Sequence, residues 1–217
     1  MTAHSRSGGL GIQAYDLIEA DILSGKYAVG SSLTELALST EYGVSRTPIR
    51  AALVRLEEEG LVHLIPNKGA VVVGISNEDL ADIYRMRMRL EGLAAALAAE
   101  KRSEEDARYL TEIVELAEFY IARGDAERLR DLDSDFHRAV YIASGSRVIG
   151  ATLSDLHRKI GVFRARALGD SRRAPTSVKE HREILEAILA RDSAKADRLA
   201  SAHTEKALEN IMLLIER

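Results

Sequence analysis

The stretch from Thr34 to Val73 constrains this chain more than any other, because its hydrophobic period changes partway through. Thr34 is suited to cap a helix of about two turns carrying Leu36, Ala37 and Leu38. A turn at Tyr42-Gly43-Val44 follows, then Ser45 as the next N-cap and Pro48 in the first turn of a helix running to Glu59, with Gly60 past its end. Ile49, Ala52, Leu53 and Leu56 make a core stripe at helical spacing. Beyond it, LVHLI and AVVV flank Pro66-Asn67-Lys68-Gly69, which reads as a β-hairpin with a tight turn. A short helix, a glycine turn, a longer helix and a hairpin spell a winged helix-turn-helix.

The flanks are helical. Residues 10–24 place Leu10, Ala14, Leu17, Ile18 and Ile22 on one face before a stop at Gly25. KYAVGSS then reads as a loop. Ser76 and Asp79 resemble a capping pair after a short linker. From there helices are expected at 77–101, 104–123, 126–144, 147–168, 176–191 and 193–214, with short breaks that imply an antiparallel bundle. The expected fold is mainly α: a winged helix-turn-helix over residues 1–75 and an all-helical domain over 76–217.

With 46% apolar and 29% charged residues, the 217-residue chain has the composition of a packed, helix-rich protein. It has no Cys, so disulfides, thiolate metal sites and Cys nucleophiles are excluded, and any metal must be held by His and carboxylate. MTAHSRSGGL has no apolar signal-type core, and LAAALAA at 93–99 is too short to span a bilayer, so a cytoplasmic protein with no membrane partner is expected. The net charge of -4 gives no help to a nucleic-acid partner, nor does the balance over residues 1–75, six Lys and Arg against eight acids. Placement matters more: four of those six basic residues fall between 46 and 68.

Arg46 and Arg50 lie four residues apart at the start of the second helix, away from its core stripe. That end enters the major groove in helix-turn-helix docking, where Arg forks onto guanine. Ser45 and Thr47 can donate to phosphate at the helix N-terminus, and Lys68 and Gly69 at the wing tip allow close approach. From spacing alone, two solvated arginines on an ordinary amphipathic helix fit as well; the wing and the caps favour DNA. The string GVSRTPIRAAL, followed by EEGLV, resembles the DNA-binding domain of the GntR family of bacterial repressors. The resemblance implies that Arg46 and Arg50 read base edges, supported by Arg55, Thr47, Lys68 and Gly69. Leu36 departs from it, standing where many relatives carry Arg or another polar residue.

Six His are present. Asp133 and His137 share a helix face, a pattern that alone more often marks a surface ion pair. His181 and His203 fall on two further helices, so one carboxylate and three imidazoles can converge inside a bundle. The strings DIYRMRMRLEGLAAALAA, DLDSDFHRAVYIASGS and EHREILEAILARD resemble the FCD ligand-binding domain of FadR-type GntR regulators. That resemblance implies a divalent metal held by Asp133, His137, His181 and His203, although Ser146 replaces the usual Asn after ASG. An N/O site with open positions suits Zn²⁺ first, with Ni²⁺ or Mn²⁺ as alternatives, and its residual positive charge suits an anion. Arg87 is the candidate effector clamp, Arg85 and Arg89 are expected on the surface, and Tyr84, Arg164 and Arg166 are possible pocket residues.

The combined expectation is a homodimeric repressor, not an enzyme, that binds a palindromic double-stranded operator and releases it when a small carboxylate binds at the metal. The alternatives are a metal-dependent enzyme acting on a small organic acid, for which no general base is placed by motif, and a purely structural metal.

Overall fold

The computed structural model describes residues 4–66, 68–161, 163 and 173–215, with side chains of the first helix from residue 13 onward. The chain divides into two compact units, Met1–Asp79 and Leu80–Arg217.

The first unit contains α1 (His4–Leu23), β1 (Ser32–Leu33), α2 (Glu35–Tyr42), α3 (Arg46–Glu58), β2 (Val62–Ile65) and β3 (Gly69–Val72). Its core is the expected α3 stripe of Ile49, Ala52, Leu53 and Leu56, closed by Ala14, Tyr15, Ile18 and Ile22 of α1. Leu17 corrects the expected face, being 47% exposed. At ~100° per residue it lies about 120° round from the centre of the buried set, and Tyr15 takes the inward position instead. Each Leu or Ile fully buried here contributes about 1.5–3 kcal/mol.

The caps explain where α2 and α3 start and stop. The Thr34 hydroxyl accepts from the Ala37 N–H at 3.2 Å, and Gly43 ends α2 in the left-handed region at φ 66°. Ser45 has the extended backbone of an N-cap, but its hydroxyl makes no capping hydrogen bond.

The wing forms as expected, with Val62 opposite Val72 and Ile65 opposite Gly69. Asn67 of its turn lies outside the described residues; the Lys68 N–H closes the turn on the Ile65 carbonyl at 3.0 Å. The last part of the expected KYAVGSS loop and the residue after it are instead a strand, because β1 adds antiparallel to the other edge of β3, with Leu33 opposite Ala70. This pairing gives Gly69 a structural necessity: a Cβ there would sit 2.1 Å from the Leu33 carbonyl oxygen, at a φ of +102°.

The second unit continues α4 (Asn77–Lys101) through α5 (Glu104–Ile121), α6 (Ala126–Ala143), α7 (Arg147–Lys159), α8 (Arg173–Leu189) and α9 (Ser193–Ile215). Ser76 and Asp79 do form the expected reciprocal cap at the start of α4, at 3.2 and 3.0 Å. Ser103 and Asp106 make the same arrangement for α5, and Ser146 caps α7 through the Ile149 N–H. α8 begins at Arg173, earlier than expected, because Pro175 fits a first turn whose N–H groups have no helical partner. The expected end of the 147–168 helix falls among undescribed residues, as do Arg164 and Arg166.

The LAAALAA run is core. Ala94, Ala95, Ala98 and Ala99 are fully buried among Leu110, Val114, Ile184 and Ile188. Their small side chains let α4 approach its neighbours closely. No helix among the described residues is long and apolar enough to cross a membrane.

Candidate functional site

Each unit carries one candidate site. On the first, α2, α3 and the wing enclose a groove lined by Leu36, Arg46, Arg50, Val54, Lys68 and Gly69. Arg46 and Arg50 are exposed, as are Ser45 and Thr47 at the same end of α3. Glu35, which the sequence reading passed over, holds both arginines. Arg50 forks onto it, Nε to Oε1 at 2.6 Å and Nη2 to Oε2 at 2.9 Å, and Arg46 Nη2 reaches Oε2 at 3.2 Å. The Arg50 hydrogen bonds, outweighing burial, hold the Glu35 carboxyl below its usual range. Both guanidinium groups line the groove while they are held on Glu35, so a bidentate contact to a base through the Arg50 Nε–Nη2 edge would replace the carboxylate. Arg55 sits apart from this set. Its guanidinium carbon lies 3.7 Å over the Tyr15 ring and its Nε lies 3.4 Å from Glu59, where it braces α1 against α3.

In the second unit α6, α8 and α9 bring His137, His181 and His203 together. One ring nitrogen from each lies within 4.8 Å of the others, and all three rings are buried. The Nε2 atoms of His181 and His203 face each other at 3.3 Å, and His181 Nε2 is 3.7 Å from Asp133 Oδ1. Asp133 therefore meets the cluster through His181, one helical turn from His137 on α6. Phe136 stacks on the His181 ring with centroids 4.1 Å apart. The sequence reading left out the fourth histidine of this unit, His157 of α7, whose ring lies 5.3 Å from that of His137.

The imidazoles are oriented from behind by carboxylates the sequence reading missed. Glu91 Oε2 lies 2.9 Å from His137 Nδ1, and Glu180 Oε2 lies 2.7 Å from His203 Nδ1. Each carboxylate is matched by a buried arginine: Arg87 donates from Nε and Nη2 to Glu91, and Arg173 Nη1 donates to Glu180 at 2.8 Å. Burial favours the neutral acid at Glu91, but the charges of Arg87 and His137 outweigh it and hold the carboxyl well below its usual range. At Glu180, burial is likewise overcome by the hydrogen bond to His203 and the charges of His203 and Arg173, which bring it to about 2. Burial, reinforced by neighbouring positive charge, pushes His181 well below its ordinary value, and burial also lowers His203. Both shifts disfavour the protonated ring.

This donor set fits a divalent cation. Nδ1 anchored on a carboxylate leaves Nε2 as the free donor, the usual arrangement behind a metal-bound imidazole.

Arg87 is only 2% exposed, and its third nitrogen, Nη1, has no hydrogen-bond partner. With Tyr84, Asp133, His137, Arg173 and His203 it lines a cavity of about 30 Å³. Arg85 and Arg89 are exposed, as expected.

Residues 82–206 match the FCD domain family, and residues 10–72 match bacterial regulatory proteins of the gntR family. The HTH-type transcriptional regulator YdhC of Bacillus subtilis is 29% identical over 94% of this chain and 92% of its own length. The HTH-type transcriptional repressor RspR of Escherichia coli is 26% identical over 92% of this chain and 87% of its own. Among solved structures, McbR/YncC of Escherichia coli superposes with a TM-score of 0.75 at 21% identity, covering 99% of this chain and all of its own. These relatives are transcription regulators, and the enzyme alternative falls with them.

Proposed function

The chain belongs to the gntR family of bacterial regulatory proteins and carries an FCD domain, and from that premise we propose that it is a cytoplasmic, homodimeric repressor that loosens its hold on a palindromic operator when a small carboxylate binds beside a divalent metal in the helical unit. The observation that carries the metal and effector part is a cluster of three buried imidazoles, two of which, His137 and His203, line one small cavity together with Arg87, whose Nη1 has no hydrogen-bond partner.

Asp133, His137, His181 and His203 would hold the cation, Zn²⁺ first by ligand type, with Glu91 and Glu180 fixing the orientation of the His137 and His203 rings through Nδ1. Bound there, the metal would supply positive charge and open coordination positions to an anion. Arg87 presents its free N–H to the same space, so a carboxylate would bridge the cation and the guanidinium. A volume of about 30 Å³ holds a water or two, not an organic acid. The acid therefore enters only by moving the surrounding helices, and a ligand that requires a different arrangement biases the equilibrium between arrangements.

A homodimer supplies the second recognition helix that a palindromic operator needs. The test uses Zn²⁺-loaded protein screened by thermal shift against di- and tricarboxylates and sugar acids. The acid with the largest shift is then titrated into protein bound to a fluorescent operator. The proposal expects operator affinity to fall by about 5–150-fold, the range of ordinary allosteric coupling. His181→Ala and chelated protein should keep operator binding and lose the response. Release that survives metal removal would refute the mechanism.

A further inference from the structure

The groove of the first unit holds one side chain that its charged neighbours do not explain. Leu36, second residue of α2, is 67% exposed and lies next to Glu35, the residue that holds Arg46 and Arg50. Val54, one turn beyond Arg50 on α3, is 42% exposed on the same groove. A single exposed leucine is ordinary. Here, Leu36 is the most exposed aliphatic side chain of the groove and stands with Val54 beside the arginine aimed at base edges, while Leu53 is buried and Leu64 and Ile65 are half-buried in the wing.

We infer that Leu36 reads the 5-methyl group of a thymine next to the guanine that Arg50 addresses, so that each operator half-site is chosen by an apolar contact as well as by hydrogen bonds. The inference rests on the DNA-binding reading of this face. Thymine is the base that presents an apolar group to the major groove, and an aliphatic side chain recognises it by excluding water from the methyl. Leu36 carries no donor or charge that could hold a phosphate, and the carboxylate of Glu35 beside it is an acceptor already taken up by Arg46 and Arg50. The Thr34 cap fixes where α2 begins, so the backbone of Leu36 is held at the groove. An Arg at this position would offer charge to any phosphate, whereas Leu has only its methyl groups to offer.

The experiment begins with operators selected by the full-length protein from a random duplex library. Each thymine of the selected site is then replaced by deoxyuridine, which removes the methyl and leaves every hydrogen-bonding group. We expect one thymine in each half-site whose replacement weakens binding roughly fourfold, the worth of one buried methyl. Leu36→Ala should bind the thymine and deoxyuridine operators equally, a double-mutant cycle with the methyl as second partner. Leu36 is exposed, so the variant should melt with the wild type. A selected site with no thymine beside its guanines, no deoxyuridine effect at any position, or an effect unchanged in Leu36→Ala would overturn the inference while leaving DNA binding intact. Failure to select any sequence would overturn both.

Discussion

Glu91→Gln separates two jobs that one carboxylate performs. Glu91 and Arg87 are paired with side chains 4% and 2% exposed, so the amide leaves a guanidinium buried without its counter-charge. Removing one partner of such a pair costs about 3–5 kcal/mol. At about 2–4 °C per kcal/mol for a chain of this size, the metal-free protein should melt some 6–20 °C lower. The double variant Arg87→Met/Glu91→Leu removes both charges and should recover most of that loss, because two apolar side chains need no counter-ion. Metal affinity should not recover. In the double variant His137 Nδ1 loses the oxygen 2.9 Å behind it, and in Glu91→Gln a single amide oxygen must serve either Arg87 or His137; loss of such an orienting group costs about 10–100-fold in affinity. Urea unfolding in the presence of chelator gives the first quantity, and Zn²⁺ titration calorimetry gives the second. If the double variant is no more stable than the single one, the buried ion pair does not carry the energy assigned to it. If Zn²⁺ binds both variants as it binds the wild type, Glu91 does not orient His137.

Gly69→Ala should destabilise the first unit by at least about 2 kcal/mol and flatten its operator binding, since the new methyl meets the Leu33 carbonyl at a backbone angle alanine avoids; an unchanged urea midpoint would contradict the β1–β3 pairing. Arg50→Ala should lower operator affinity and relax preference at one base position by about 1–3 kcal/mol, and uniform weakening across all sequences would assign Arg50 to the phosphates instead. For pH, the sign follows from His181 and His203, both lowered from 6.5. Below that value the unfolded chain takes up protons the folded chain refuses, so the metal-free protein should lose stability as pH falls through about 6.5, with a slope of up to about 1.4 kcal/mol per pH unit for each ring. Glu180, held at about 2 against 4.5, adds a further loss between those values. Urea midpoints that stay level from pH 7.5 to 5.5 would show that the two rings are not buried as neutral groups.

What the sequence made legible was what repeats locally. The α3 stripe, the hairpin alternation, the caps and the Asp133/His137 spacing each depend on residues within two turns or one hairpin of one another. The groups that were missed work at long range or look ordinary. Glu91 stands four residues from Arg87, a spacing typical of solvent-exposed helical pairs, and only tertiary burial turns that pair into a support for His137, 46 positions away. Glu180 precedes His181 but serves His203, which no spacing rule indicates. Arg173 falls where glycine and proline suggested a break, because a proline is tolerated inside a first turn. β1 has only two residues, too few for alternation to register, and it exists because the free edge of β3 offers it hydrogen bonds.

The hold of Glu35 on Arg46 and Arg50 also bears on how quickly the protein finds its operator. Every stretch of chromosome offers phosphates, and an unengaged arginine would dwell on them. An arginine already forked onto a carboxylate must give up that fork for any new partner, so a lone phosphate gains it little, whereas a matching site adds further contacts around the same guanidinium. Exposed pairs of this kind are worth at most about 1 kcal/mol, so the discount on random sequence is a few-fold for each first unit. Multiplied over roughly 10⁶ or more competing sites, that discount shortens each wrong stop and leaves a larger share of the protein's copies free to search.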